Sequence, residues 1–290
     1  VYRWRVRGIR AGSAPAPQAR MIIDGRAIAT DILKGVRESM TRTPVVRAIV
    51  IAPSPATKSY LSIKSARAQE AGMQLEVVEL AETAADDEVR AQAAAPGCDA
   101  VIVQLPLPDR YETEAILDAI PLSRDADVLS QGAYERFAQN MPDALLPPVV
   151  GAVAEILARA DIAPRGLRTV VVGQGRLVGE PAAAWLRNQG ADVATVTLES
   201  GDLSLLRDAD LVVTGAGAPG LIRREHLKEG VILIDAGTSE SGGAIVGDAD
   251  PACSAVARVF TPVPGGVGPI AVACLFRNVA ALVASPLHEA

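Results

Sequence analysis

Hydrophobic runs alternate with amphipathic segments along the first half of the chain. The β-branched run VVRAIVIA, at 45–52, stops at Pro53-Ser54-Pro55 and predicts a buried strand followed by a turn. ATKSYLSIKSARAQEAG then has helical periodicity and ends at Gly72. QLEVVEL and CDAVIVQLPLP predict two more strands, with helix DDEVRAQAAA between them and helix TEAILDAI after them. Strands that alternate with helices predict an α/β fold with a mainly parallel sheet.

The second half repeats this alternation after a proline cluster, LLPPVVG, which indicates a domain boundary near residue 147. A helix, AVAEILARA, precedes a strand, a glycine loop, a helix and a strand in RTVVVGQGRLVGEPAAAWLRNQGADVATVTLES, which is typical of a βαβ unit. ADLVVTGAG and GVILIDAG predict further strands of the same sheet. We therefore predict two α/β domains. The first covers 21–147 and is completed by a C-terminal helix at 267–285, and the second is a Rossmann-like, parallel-sheet domain at 148–266.

Composition narrows the function classes. Hydrophobic residues make up 49% and charged residues 21% of the 290 residues, which permits a real core and argues against disorder. A net charge of -6 argues against nucleic acid as the main partner. Three widely spaced cysteines fit a reducing, cytoplasmic setting, and we expect no metal site because His226 and His288 form no ligand cluster with them. We also expect no apolar run long enough to span a membrane.

The first twenty residues differ from the rest of the chain. They carry five arginines, no acid, and the small-residue segment AGSAPAPQAR. An arginine-rich, acid-free leader is typical of a transit peptide. We favour the alternative that Met21 is the native start, and that residues 1–20 are a disordered leader or an artefact of cloning or of an upstream start.

A glycine-rich loop follows the strand TVVV and opens a helix. Gly173, Gly175 and Gly179 give the spacing G-x-G-x-x-x-G, which differs from the standard G-x-G-x-x-G. Glycines let a pyrophosphate approach the backbone, and the helix N-terminus supplies free N–H groups, although a tight βα turn needs the same residues. Glu199, predicted to end the next strand, is either an acid that binds the adenosine ribose and repels a 2′-phosphate or a solvated strand end.

Tyr60 and Lys64 lie four residues apart on the predicted helix after the first strand and therefore share one face. Taken alone, such a pair is typical of a solvated helix surface. The segments PATKSYLSIKSA, VIVQLPLP, DAD, GQGRLVGEP and TPVPGGVGP, however, occur in this order along the chain. The set resembles the bifunctional methylenetetrahydrofolate dehydrogenase/cyclohydrolase family (FolD type). The resemblance covers almost the whole chain from Met21, beginning with IIDGRAIA at 22–29.

The resemblance implies two activities in one-carbon metabolism, which supplies purine biosynthesis. These are oxidation of 5,10-methylenetetrahydrofolate to the methenyl compound with NADP or NAD, and hydrolysis of that compound to 10-formyltetrahydrofolate. It also implies a homodimer. The family's catalytic residues match Tyr60, Lys64, Gln104 and Asp127. The folate-binding residues that it implies are Tyr60, Gln104, Leu105, Pro106, Asp127, Gly265, Gly266, Val267, Gly268 and Pro269. The cofactor-binding residues that it implies are Gly173, Gln174, Gly175, Val178, Gly179, Glu199, Ser200, Gly215 and Thr238.

The matched folate residues suit this chemistry. A lysine beside a cationic iminium and a desolvated pterin should have a lowered pKa, so Lys64 is expected to shuttle protons during water addition. Gln104 can accept a hydrogen bond from Lys64 and orient it without adding charge. Asp127 only accepts hydrogen bonds when ionised, which suits the donors of an aminopterin ring.

The dinucleotide side departs from the family pattern. Gly173-Gln174-Gly175 stands where the family usually has Gly-Arg-Ser, and Glu199-Ser200 stands where His-Ser is usual. Pro148-Val149-Val150 replaces Cys-Thr-Pro, and Val128 replaces the glycine of a D-x-D-G loop. A charged contact to a 2′-phosphate contributes about 1.5–3 kcal/mol, so losing the arginine and gaining a glutamate should remove a strong NADP preference.

Several alternatives stay open at this point. The enzyme uses NAD, binds NADP weakly through other groups, or has lost the redox step and kept the cyclohydrolase. A catalytically silent folate- or nucleotide-binding paralogue is a second class, which the altered glycine loop favours and the retained lysine opposes. An unrelated NAD-dependent dehydrogenase is a third, which leaves QLPLP unexplained.

Overall fold

The computed structural model of this chain describes residues 20–199 and 202–285. The predictions made for residues 1–19 and for Ser200 lie outside the described residues. Within them the chain forms eleven strands and eight α-helices. The strands are β1 (Met21–Ile22), β2 (Val45–Ile51), β3 (Gln74–Leu80), β4 (Ala100–Val103), β5 (Arg168–Val172), β6 (Asp192–Val196), β7 (Leu211–Thr214), β8 (Ile232–Asp235), β9 (Ser239–Ser241), β10 (Ala244–Val246) and β11 (Val259–Phe260). The helices are α1 (Gly25–Ser39), α2 (Pro55–Glu70), α3 (Asp86–Ala94), α4 (Thr113–Leu117), α5 (Gln131–Ala138), α6 (Pro148–Arg159), α7 (Gly179–Asn188) and α8 (Val267–Ala284).

The first sheet has three parallel strands in the order β3-β2-β4. Along the central strand β2, Ala48 and Val50 face one hydrophobic cluster, whereas Ile49 and Ile51 face another. Both faces of the strand are therefore buried, which explains why its sequence is a nearly continuous apolar run. The carboxyl ends of β2 and β4 lead into α2 and into the QLPLP loop, so the two motifs start from the same edge of the sheet.

The second sheet has six strands in the order β1-β11-β8-β7-β5-β6, and all its pairs are parallel. The chain runs from β5 outward to β6 and then returns to β7 on the other side of β5, so the direction of winding reverses between β5 and β7. In open α/β sheets ligands bind at this switch point, outside the carboxyl ends of the strands. Met21–Ile22 pair with Val259–Phe260, so the first described strand joins the second sheet instead of the predicted first domain.

Helix α8 connects the two halves of the molecule. It packs against α1 and α6, and the amide nitrogen of Asn278 donates to the carbonyl oxygens of Ala126 (2.9 Å) and Leu146 (2.8 Å). By length and composition alone α8 could cross a membrane, contrary to the expectation that no such run exists. Most of its side chains are buried inside the protein, and a core helix passes the same test.

The α/β fold class is confirmed, with strands at each predicted position. Helix α1, helix α5, strand β11 and the antiparallel β9–β10 hairpin are absent from the predicted elements. Helix α1 nevertheless has clear local signals: Asp24 accepts hydrogen bonds from the N–H groups of Arg26 and Ala27, as an N-cap residue does. The domain division near residue 147 stays a prediction.

Candidate active site

The start of α2 fixes the position of the tyrosine–lysine pair. β2 ends at Ile51, and the Ser54 hydroxyl oxygen accepts a hydrogen bond from the N–H of Thr57 at 3.1 Å. Pro55 occupies the first turn, where its fixed φ angle suits a helix start. Tyr60 and Lys64 follow one turn apart, so they project from the same side of a helix that begins at the carboxyl edge of the sheet.

Lys64 and Gln104 form the central contact of the site. The Lys64 Nζ atom donates to Gln104 Oε1 at 3.1 Å, and the Gln104 side-chain nitrogen donates to the Leu105 carbonyl oxygen at 2.9 Å. The second bond orients the amide so that its oxygen faces the lysine. Lys64 is only 7% exposed, and its Nζ atom lies 5.0 Å from the centre of the Tyr60 ring. Tyr60 itself is 42% exposed, so one side of the ring is open to a ligand.

Asp125 and Asp127 have different environments although they are two residues apart. The Asp125 carboxylate is buried and accepts hydrogen bonds from the Leu129 N–H, the Ser130 N–H and the Ser130 hydroxyl. Asp125 therefore builds the turn. Asp127 lines the cavity that Lys64 also lines, so it is the carboxylate available to a ligand.

Burial and mutual attraction set the ionisation of this cluster. Burial lowers the pKa of Lys64, and the negative charge of Asp127 opposes that effect. Burial raises the pKa of Asp127 to about 6, although Lys64 lowers it, and the nearby Asp125 raises it further. Burial and Asp127 also raise the pKa of Tyr60. The lowered pKa makes the amine easier to deprotonate than an ordinary lysine, which suits a group that both accepts and returns a proton.

A cavity of about 380 Å³ joins these residues to the second half of the chain. Its walls include Tyr60, Lys64, Gln104, Leu105 and Asp127, with Arg176, Leu177 and Glu180 from the start of the glycine-rich half and Ala271, Val272 and Leu275 from α8. Side-chain contacts cross this cleft, among them the following two. Arg176 forms an ion pair with Glu114, and the Tyr134 hydroxyl donates to Glu180 Oε1 at 3.0 Å. Burial and the Glu180 carboxylate raise the pKa of Tyr134 to about 12.

Three glycines let the backbone segments at the switch point approach each other. A Cβ atom added to Gly179 would lie 2.1 Å from the Gly173 carbonyl oxygen, and one added to Gly173 would lie 2.7 Å from the Gly215 carbonyl oxygen. One added to Gly215 would lie 2.2 Å from the Val178 side chain. These distances are far below van der Waals contact, so the β5–α7 turn depends on glycine at each position.

Gly175 differs from those glycines because nothing lies within 4 Å of the place where its Cβ would be. It faces a second cavity, of about 370 Å³, whose walls include Pro106, Val178 and Gly215. Helix α7 starts beside it without a side-chain cap on its N-terminal N–H groups. An open glycine, an uncapped helix start and an adjacent cavity fit the pyrophosphate of a dinucleotide.

Two family models match the chain over most of its length. The NAD(P)-binding domain of tetrahydrofolate dehydrogenase/cyclohydrolase matches residues 147–286, and the catalytic domain of the same family matches residues 23–127. The chain belongs to the tetrahydrofolate dehydrogenase/cyclohydrolase family.

Individual relatives agree with this membership. The bifunctional protein FolD of Parafrankia sp. is 35% identical over 89% of this chain and 97% of its own length. The crystal structure of bifunctional FolD from Campylobacter jejuni has a TM-score of 0.88 at 31% identity, covering 92% of this chain and 99% of that chain. The Trypanosoma brucei FolD structure, complexed with NADP cofactor and inhibitor, has a TM-score of 0.84 at 31% identity, covering 92% and 98%.

Within this family fold, the predicted site residues fall into three groups. Tyr60, Lys64, Gln104, Leu105 and Asp127 lie together around the larger cavity. Leu105 also lines the second cavity, together with Pro106, Gly175, Val178 and Gly215. Gly173 and Gly179 line neither cavity but allow the close backbone packing next to the second one. The remaining described residues line neither cavity: Gln174, Glu199, Thr238, Gly265, Gly266, Val267, Gly268 and Pro269.

The loop at 265–269 supports a neighbouring helix. The N–H of Gly25 donates to the Gly265 carbonyl oxygen at 2.9 Å, so the loop packs against the start of α1. Val267, Gly268 and Pro269 form the first turn of α8, and residues further along this helix supply the wall instead. Glu199 is also displaced from its expected position, because β6 ends at Val196 and Glu199 is an exposed turn residue. The strand stops there because its neighbour β5 ends at Val172, just before the glycine loop turns away.

Several wall residues are absent from the predicted site, including Glu114, Tyr134, Arg176 and Glu180. Arg176 had a usable signal, since it is the basic residue of the glycine loop, two positions after the usual arginine of this family. The others come from α4, α5 and α7 and meet only through the tertiary fold.

Val128 replaces the usual glycine, yet it has φ of 59°, a conformation that glycine adopts more easily.

Proposed function

We propose that this protein oxidises 5,10-methylenetetrahydrofolate to 5,10-methenyltetrahydrofolate with NAD(P) and hydrolyses the product to 10-formyltetrahydrofolate. The observation that carries the proposal is the buried contact between Lys64 and Gln104, beside Tyr60 and Asp127, in a cavity that the glycine-loop half also lines. The bifunctional names of the relatives at 31–35% identity support it. A silent binding paralogue has no need of a buried amine with a lowered pKa.

Lys64 is placed to move the protons of the hydrolysis. Water adds through its oxygen to the methenyl carbon and loses a proton, which the neutral amine of Lys64 accepts. The resulting ammonium returns this proton to the pterin-side nitrogen as the bond between that nitrogen and the carbon breaks. The hydroxyl group on the carbon loses its own proton to solvent as the formyl carbonyl forms, so the whole reaction releases one proton. Gln104 accepts a hydrogen bond from the lysine in both states, so it holds Nζ in position without changing the net charge.

Tyr60 and Asp127 are suited to bind the folate. The partly exposed ring of Tyr60 offers a flat surface for stacking, and its position beside Lys64 brings a stacked ligand to the amine. Asp127, when ionised, accepts hydrogen bonds from the donors of the pterin ring. Both residues therefore contribute mainly to binding and orientation, while Lys64 carries the proton transfer.

The dinucleotide, when bound, supplies the hydride acceptor for the oxidation. Gly175 and the N-terminus of α7 are suited to bind its pyrophosphate, and the walls of the two adjoining cavities are suited to bring its nicotinamide toward the folate and exclude water. We propose that NAD and NADP are used without strong discrimination. Gln174 replaces the usual arginine, and Arg176, the basic residue of the loop, pairs with Glu114.

An absorbance assay tests the function directly. The purified protein is mixed with methylenetetrahydrofolate and either NAD or NADP, and separately with methenyltetrahydrofolate alone. We expect reduction of both dinucleotides, with kcat/KM values within about tenfold of each other, because the charged contact that would favour NADP by about 1.5–3 kcal/mol is missing. Hydrolysis without reduction of either dinucleotide would leave only the cyclohydrolase. Neither reaction would indicate a binding protein and refute the proposal.

The rate of hydrolysis should depend on the ionisation of Asp127. With a pKa of about 6, this carboxylate is protonated at lower pH, and it then has no negative charge and presents an O–H donor to the donors of the pterin. We expect kcat/KM for hydrolysis to fall about tenfold per pH unit below pH 6, since this ratio reports groups of the free enzyme. Asp127→Asn should lower kcat/KM and remove the acidic limb. A limb that persists in this variant would assign the titration to another group.

We also propose that the protein is a cytoplasmic homodimer whose product serves purine biosynthesis. Strand β3 is an edge strand of its sheet, and on it Val77 is 40% exposed. Helix α2 next to it exposes Ile63 by 51%. Light scattering on the purified protein measures the mass, and a value of one chain at micromolar concentration would exclude a stable dimer.

A further inference from the structure

Two buried aspartates lie beneath the dinucleotide loops. Asp235 ends β8 and Asp248 follows the β9–β10 hairpin, and they are 1% and 0% exposed. We infer that Asp248 is a positioning residue for dinucleotide binding, which acts through the loop after β7 and does not touch the dinucleotide itself. The inference rests on the proposed function, because it concerns the same dinucleotide site.

Asp248 holds the loop after β7 at three points. Its Oδ2 atom accepts hydrogen bonds from the Thr214 hydroxyl and the Ala216 N–H, both at 2.7 Å. Its Oδ1 atom accepts from the Ala218 N–H at 2.8 Å. A single carboxylate therefore fixes the segment 214–218, which contains Gly215. An amide or an apolar side chain cannot accept from all three donors.

Asp235 in turn holds the segment that carries Asp248. Its Oδ1 atom accepts from the N–H groups of Gly237 (2.9 Å) and Asp248 (3.3 Å), and its Oδ2 atom accepts from Ala249 at 2.9 Å. A Cβ on Gly237 would lie 2.2 Å from the Asp248 carboxyl carbon, so the backbone closes tightly over this carboxylate.

The loop that Asp248 holds forms one side of the dinucleotide site. Gly215 and Val178 both line the second cavity, and they are packed so closely that a Cβ on Gly215 would lie 2.2 Å from Val178. Gly215 also sets the position of Gly173, through the short distance described above. A shift of the 214–218 loop must therefore move the glycine loop and change the cavity where the pyrophosphate is expected.

Keeping two carboxylates together in the interior is unfavourable unless they do something that neutral groups cannot. Burial, together with the charge of Asp248, raises the pKa of Asp235 to about 6. The described contacts of both groups are backbone N–H groups and one hydroxyl of the loops at the carboxyl ends of β7 and β8. The buried pair therefore lowers the free energy of unfolding, and it lies where the position of the loops determines ligand binding.

The substitution Asp248→Asn tests the inference. Whichever way the amide turns, its NH₂ group faces the N–H of Ala216 or Ala218, so the loop must move at one of these points. We expect the Kd of NAD and of NADP, measured by titration calorimetry, to rise at least tenfold. The kcat and KM for methenyltetrahydrofolate hydrolysis should stay unchanged, because Lys64, Gln104 and Asp127 belong to the segments that surround the other sheet. Asp250→Asn is the matched control, since Asp250 is exposed and its carboxylate accepts only from the Ala252 N–H among the hydrogen bonds described.

Unchanged dinucleotide Kd in Asp248→Asn would overturn the inference, and so would an equal loss of hydrolysis, which indicates a general structural role. If Asp248→Asn yields no folded protein, Thr214→Val decides, because it removes one donor to the carboxylate and keeps the side-chain shape. A Kd raised about threefold supports the inference, and a wild-type Kd overturns it. Failure of the proposed function is distinguishable, because it appears as missing turnover of the wild-type protein, whereas the inference is decided by the dinucleotide Kd of the variants relative to the wild type.

Discussion

Lys64→Met should lower kcat for methenyltetrahydrofolate hydrolysis on the order of 10³-fold, the middle to upper range for loss of a general acid–base group. Methionine has similar length and no proton to exchange, so the water molecule loses its acceptor and the departing ring nitrogen loses its donor. The measurement is the loss of absorbance of the methenyl compound under saturating substrate. Undiminished hydrolysis would refute the role assigned to this lysine.

The same substitution should leave the protein folded. Leaving the Gln104 oxygen without a donor lowers the free energy of unfolding by about 1–3 kcal/mol. Removing the buried amine acts in the opposite direction, because its desolvation no longer opposes folding. We therefore expect only a small change in Tm.

Lys58→Met provides the matched control. Lys58 lies on the same helix, is exposed, and pairs with Glu79 at 3.2 Å on the protein surface. An exposed ion pair contributes about 0–1 kcal/mol. This variant should hydrolyse the substrate within about twofold of the wild-type rate. A large fall in the hydrolysis rate of Lys58→Met would mean that α2 as a whole is sensitive to substitution. The effect of Lys64→Met could then not be assigned to proton transfer.

The folate side of the site could be predicted from the sequence because its motifs resemble a known family; the helical spacing of Tyr60 and Lys64 alone is typical of a solvated surface. The structure gives the physical reason for the grouping. Tyr60 and Lys64 share a helix, and Gln104 directly follows a strand of the same parallel sheet, so these residues meet at one edge. The distance of 3.1 Å between Lys64 and Gln104 agrees with the predicted pairing. The functional roles of these residues are still predictions.

The remaining walls depend on tertiary structure. Glu114, Tyr134 and Arg176 belong to three separate segments, and no sequence spacing predicts that they meet across one cleft. The predicted position of Glu199 at a strand end was wrong for a different reason. The run VATVTLE favours a longer strand, but β6 ends where its partner β5 ends. The segment 265–269 has a specific sequence, yet it packs against α1, where a Cβ on Gly25 would lie 1.8 Å from the Gly266 carbonyl oxygen.

Gly179→Ala should separate the two activities. The added Cβ would lie 2.1 Å from the carbonyl oxygen and 2.5 Å from the carbonyl carbon of Gly173, and neither backbone atom can rotate away. The start of α7 must therefore move from the glycine loop, and the second cavity must change shape. We expect dinucleotide-dependent oxidation to fall more than about 100-fold, because a displacement of about 1 Å can cost that much when reacting groups are misaligned. Hydrolysis should stay within about twofold of wild type.

Gly35→Ala is the control that makes this result interpretable. Gly35 lies within α1 with nothing within 4 Å of its Cβ position, so the same chemical change should stabilise the helix by about 0.5–1 kcal/mol and leave both activities intact. Equal loss of oxidation and hydrolysis in Gly179→Ala would show that the two halves of the cleft do not function independently. Wild-type oxidation would show that the pyrophosphate does not depend on the β5–α7 turn. Loss of oxidation alone assigns the dinucleotide to the switch point between β5 and β7 and leaves the proton transfer to Lys64.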